Sequence, residues 1–186
     1  MSNLYVYLMR SRNKDNATVP NFKERSKAIL AYRENEDSVI EAFKEFASKG
    51  VQSEQTRLYR SVNSRNEDKI REALIIRLLK YKPSITKLNR TLASVAQQSE
   101  NRDESRWLFD FDVNNEGLAD CFIADIRTLS GENYPADQIE KHKTPNGYAI
   151  IVPRGFDTRK LLDKWADYDI TLKKDEMLFL TILTNK

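Results

Sequence analysis

The spacing of apolar residues switches back and forth along residues 106–183, and no other feature restricts the fold as tightly. Residues 106–112, RWLFDFD, alternate: Trp107, Phe109 and Phe111 against Leu108, Asp110 and Asp112. A period of two marks a strand. Residues 116–129 then place Leu118, Cys121, Phe122, Ile126 and Leu129 at helical spacing. A loop, SGENYPAD, leads to a short segment around 137–142. TPNGYAIIVP holds an Asn146-Gly147 hairpin signal followed by an apolar strand. Asp157 is placed to cap a helix over 157–166 that carries Leu161, Leu162 and Trp165. MLFLTIL (177–183) is nearly continuous in apolar character, which predicts a central strand. In order this is β-α-β-β-α-β, the RRM/ferredoxin-like split motif, an antiparallel sheet with two helices on one face.

The first half is richer in helix. NLYVYLM (3–9) reads as a strand, and RSKAILAYRE (25–34) as a second, its alanines leaving a helix open. Val39, Ala42, Phe43, Phe46 and Ala47 mark a helix, with Ser38 and Glu41 spaced as a capping box. TRLYRSVN (56–63) alternates as a strand. A second box, Ser64 with Glu67, opens a helix that Pro83 ends, and residues 84–98 form a third. The polar run SENRDES divides the chain. The expected fold is α+β: an N-terminal α/β lobe over 1–99, with three helices, packed as one compact unit on an RRM-like lobe over 106–186 that carries the acidic pair.

Composition narrows the function classes. Lys and Arg total 31 against 28 Asp and Glu, a net charge of +3, which permits a nucleic-acid partner without requiring one. Cys121 is the single cysteine, so an internal disulfide and a thiolate zinc cluster are excluded. The opening residues carry only a short apolar run before charges begin, and no stretch has the length of a membrane span. A cytoplasmic location with no membrane partner is expected. P-loop, G-x-G-x-x-G and G-x-S-x-G patterns are absent.

Asp110 and Asp112 are the first site candidate. In a strand, i and i+2 share a face about 7 Å apart. Carboxylates so placed can converge on Mg²⁺ or Mn²⁺, or simply keep an exposed strand end soluble. Lys141, His142 and Lys143 before the hairpin and Arg154 after it form a second candidate, suited to phosphate or to an ordinary charged surface. Lys173 and Lys174, near Asp169, extend that basic rim or form a turn.

Four stretches carry a resemblance: TRLYRSVNSR (56–65), WLFDFD (107–112), KTPNGYAIIVPRGFDTRKLL (143–162) and DITLKKDEMLFLTI (169–182). Together they resemble an uncharacterised group of phage and mobile-element proteins, in which the third stretch reads like PTKNGYH followed by a PF turn and a helix. Their order is similar to the archaeo-eukaryotic primase superfamily, with a D-x-D on one strand, a histidine on a nearby strand and a further aspartate, around an RRM-like core. The resemblance implies a bacteriophage protein of the host cytoplasm with a metal-supported nucleotidyl- or phosphoryl-transfer centre. Asp110, Asp112 and Asp169 would be its catalytic acids, with Mg or Mn on Asp110 and Asp112. Lys141, Lys143, Arg154 and Lys173 would bind phosphate or nucleic acid. One position departs: where the histidine is expected, after Gly147-Tyr148, this chain has Ala149. His142 lies seven residues earlier, and could replace it only along a different backbone path. Two functions follow, a nucleic-acid- or nucleotide-handling protein on a primase-like scaffold, or a non-catalytic binder or inhibitor of a host or phage protein on a degenerate one.

Overall fold

The computed structural model describes residues 3–131 and 136–185, so the middle of the loop expected over 130–137 lies outside the described residues. Its elements are β1 (Leu4–Ser11), β2 (Arg25–Tyr32), α1 (Glu36–Ser48), β3 (Gln55–Ser61), α2 (Glu67–Tyr81), α3 (Leu88–Ala96), β4 (Arg106–Phe111), α4 (Glu116–Ser130), β5 (Glu140–Lys143), β6 (Tyr148–Pro153), α5 (Arg159–Lys164), β7 (Ile170–Lys174) and β8 (Met177–Thr184). The class is mixed α+β, with two antiparallel four-stranded sheets. The chain forms two units, Met1–Glu104 with Met177–Lys186, and Ser105–Glu176.

In the first unit the strand order is β2-β1-β3-β8. β1 is apolar or aromatic over Leu4–Met9 because both its faces are covered. Tyr5, Tyr7 and Met9 pack with Val39 and Phe43 of α1. The alternate residues Leu4 and Val6 pack with Ile70 of α2 and with Val95 and Ala96 of α3. Helices on both faces of a sheet demand this unbroken apolar character.

β8 corrects two expectations. It is an edge strand, and it belongs to the first sheet, where it pairs with β3. Leu58 pairs with Thr181 and Tyr59 with Phe179, so Leu180 is an extra residue in the ladder. Such a bulge breaks strict alternation. Leu180 and Leu183 therefore both reach the α1 core, while Met177 joins the α2–α3 side. Its apolar run is only partly covered: Leu178 is buried and Met177, Phe179, Leu180 and Leu183 are half-buried, whereas Thr181, Ile182 and Thr184 are exposed.

The second unit runs β4-α4-β5-β6-α5-β7, with strand order β5-β6-β4-β7. Its fourth strand is β7, ITLKK, from the segment around Lys173 that also reads as a turn or basic rim. Ile170 and Leu172 turn to the core, which is built on Phe109, Phe111, Phe122, Ile126, Ile150, Val152, Leu161 and Trp165. The rings of Phe109 and Phe122 meet edge to face at 5.2 Å, as do Phe122 and Trp165 at 5.4 Å.

Helix starts differ from the serine boxes. Asn66 caps α2 by accepting from the Lys69 amide (3.0 Å), two residues past Ser64. Asn115 caps α4 through the Leu118 amide (3.1 Å). α1 begins at Glu36, ahead of Ser38, and its N-cap Asn35 makes no side-chain cap bond. Asparagine serves as well as serine at an N-cap, so neighbouring candidates compete and geometry chooses. No helix among the described residues is long and apolar enough to cross a membrane.

Candidate functional site

The alternation of β4 sorts its side chains onto two faces. Phe109 and Phe111 enter the core beneath α4 and α5. Leu108 and Asp110 therefore point to the opposite face, and Asp112 continues the ladder just past the strand, its amide donating to the Asp169 carbonyl (3.0 Å). The registers with β6, β5 and β7 extend this face into transverse rows. His142, Ala149, Asp110 and Thr171 form one row. Glu140, Ile151, Leu108 and Lys173 form the next.

Two polar clusters stand on these rows. Lys173 Nζ donates to Asp110 Oδ2 at 2.5 Å. Burial works against the Lys173 ammonium, but the hydrogen bond to Asp110 and the charges of Asp110, Glu176 and Asp112 outweigh it and hold its pKa above the ordinary lysine value. In the second cluster Glu140 receives Arg106 Nη1 at 2.5 Å and lies 2.9 Å from His142 Nε2. The His142 hydrogen bond, followed by that of Arg106, overcomes burial and lowers the Glu140 pKa to about 2.

The expected site residues are thus partly gathered and partly dispersed. Asp110, Asp112 and Asp169 share one end of the β4–β7 ladder, and Lys173, paired with Leu108 nearer the other end, reaches Asp110 diagonally with its side chain. Lys141 pairs in register with Ile150, which belongs to the core face, and its ammonium bridges Glu116 (3.0 Å) and Asp120 (2.6 Å) of α4. Lys143 bonds Asn114 and stands 4.2 Å over the Tyr148 ring. Lys141 and Lys143 are on the side away from Asp110, because alternate residues of β5 face opposite ways. Arg154 is exposed beyond the far end of β6, about 16 Å along the strand from the Asp110 row.

His142 is the reverse case. Seven residues separate it from Ala149 in sequence, yet the β5–β6 hairpin sets the two side by side. The different backbone path is the hairpin itself. About 10 Å, two strand spacings, then separate the His142 and Asp110 positions. Gly147 makes this hairpin possible. A Cβ there would lie 2.0 Å from the Phe111 carbonyl oxygen and 2.8 Å from the Val113 nitrogen. Glu140, Arg106 and Thr171 escaped the sequence reading. The alternation of ITLKK was the available signal for Thr171 and Lys173, while the Arg106–Glu140 pair spans a strand between them and leaves no local trace.

The acids do not present a ready metal site. Lys173 occupies the near oxygen of Asp110, and no group of three or more His, Cys, Asp or Glu among the described residues could hold a metal ion. A divalent cation on Asp110 requires Lys173 to turn away.

Comparison with known proteins found no matching family model, no matching curated protein and no matching solved structure.

Proposed function

We propose that the chain handles nucleic acid or a nucleotide, and that its second unit is an RRM/ferredoxin-like fold carrying the site. The strand order supports the fold reading: within the unit, β7-β4-β6-β5 runs fourth, first, third, second, as the split β-α-β motif requires. The row of His142, Asp110 and Thr171, with Lys173 beside it, carries the functional reading. Lys173 is the pivot. A phosphate gives its ammonium an alternative anionic partner, and that exchange releases Asp110. A magnesium–nucleotide complex suits both halves of the exchange, phosphate for Lys173 and magnesium for Asp110 and Asp112. Arg106 and His142 add donors along the same face. A phage-encoded, primase-like role fits this ligand class.

The measurement is affinity for single-stranded DNA, single-stranded RNA and a magnesium–nucleoside triphosphate across a salt series. Lys173→Ala is expected to weaken nucleic-acid binding and to reduce the slope of log affinity against log salt by about 1. Melting with and without Mn²⁺ tests the cation: a ligand that binds only the folded state raises Tm, and Lys173→Met is expected to enlarge the rise by freeing Asp110.

Two observations favour the second reading, a non-catalytic protein that binds a host or phage protein. Ala149 offers no acid, base or donor in the central row, and Lys173 already neutralises Asp110. If no nucleic acid or nucleotide binds at low salt and Mn²⁺ leaves Tm unchanged in both proteins, this reading replaces the first.

A further inference from the structure

Along α2, Ile75, Ile76 and Leu79 are 51%, 64% and 73% exposed. α2 already commits Ile70, Ala73 and Leu74 to the core of the first unit. The exposed residues are a second apolar stripe on the same helix. Single exposed apolar side chains are ordinary, whereas a contiguous group this exposed marks a surface that meets another.

The charges beside the stripe choose the occupant. Arg71 is satisfied within the chain by Glu67 (2.9 Å) and by Asp68. Glu72 and Lys80 are exposed, and neither has an ion-pair partner among the described residues. They stand four residues from Ile76 on opposite sides, about 6 Å along the axis each way. A twofold axis beside Ile76 lays two copies of α2 antiparallel. It stacks the stripe on itself and brings Glu72 of one protomer level with the partner's Lys80, twice by symmetry. A surface that is apolar along its middle and opposite in charge at equal distances from its centre is complementary to its own copy.

We propose that the α2 stripe is the isologous interface of a homodimer, with Ile76 at the twofold axis and reciprocal Glu72–Lys80 pairs on either side.

Sedimentation equilibrium of the full chain over a dilution series tests this. Wild type is expected to show a concentration-dependent mass rising to twice that of one chain. Ile76→Glu, at an exposed position that leaves the fold intact by circular dichroism, is expected to raise the dissociation constant about tenfold or more. Glu72→Lys and Lys80→Glu singly are each expected to weaken the dimer. The double reversal Glu72→Lys/Lys80→Glu restores it, because the pairs re-form with exchanged signs. A wild type that stays monomeric throughout overturns the proposal, and so does a dimer indifferent to Ile76→Glu. Failure of the double reversal to recover affinity overturns the antiparallel register. Monomeric wild type that pellets with anionic phospholipid vesicles through the same residues assigns the stripe to a lipid surface instead.

Discussion

Glu140 shows how one residue's surroundings set its chemistry. Its neighbours in sequence, Ile139 and Lys141, say nothing of Arg106 or of the alternate-residue contact with His142. Together those contacts lower its pKa from 4.5 to about 2. A carboxyl depressed in the folded state contributes stability that is complete above the unfolded value and lost as pH falls through the folded one. The Glu140 contribution is therefore full above about 4.5 and fades as the pH approaches about 2. In urea titrations at stepped pH, wild type is expected to lose stability across that window more steeply than Glu140→Gln. Equal slopes in the two proteins would show that the Arg106–Glu140–His142 cluster does not hold in solution. Lys173 is the same lesson with the sign reversed. A lysine that reads as part of a turn or basic rim is held by Asp110 across two strands, and only the register reveals it.

Among the short segments the β5–β6 hairpin has the largest consequence, because it moves His142 beside Ala149. Gly147 is needed there for room, since the backbone of β4 passes where a side chain would begin. Gly147→Ala is expected to cost about 3 kcal/mol, the upper part of the usual range for a point substitution, measured by denaturant unfolding. A cost near zero would mean that the hairpin sits farther from Phe111. Sequence pattern located most elements here because the period of β4, α1 and α4 is strong and local. It also gave the hairpin, whose turn residues are adjacent. It misplaced the caps of α1 and α2, where serine and asparagine compete within a few residues. It put β8 in the wrong sheet, because an apolar run reports neither how much of a strand is covered nor which sheet it joins. The acidic pair was legible as a pair. That Lys173 answers it, while Lys141 and Lys143 turn to the other face, depended on pairing between segments and could not be read from either alone.

The second unit is an insertion within the first. It is contiguous, Ser105–Glu176, whereas the first unit is completed only by Met177–Lys186. Residues 105–176, expressed alone, are expected to fold cooperatively around the Phe109–Phe122–Trp165 core, with dispersed amide resonances as the readout. Residues 1–104 alone keep β1 beside β3 but lack β8 on its outer edge, and are expected to aggregate or remain partly folded until a peptide spanning 177–186 is added. A stable, monodisperse 1–104 fragment would contradict this account. During translation the same arrangement imposes an order of events. The inserted domain leaves the ribosome whole and can fold at once, while the outer edge of β3 stays bare until β8 is made. The interval between those moments is the stage of this protein's synthesis at which a chaperone or a stray strand has most to grip, and a nascent chain cut short after residue 176 never leaves it.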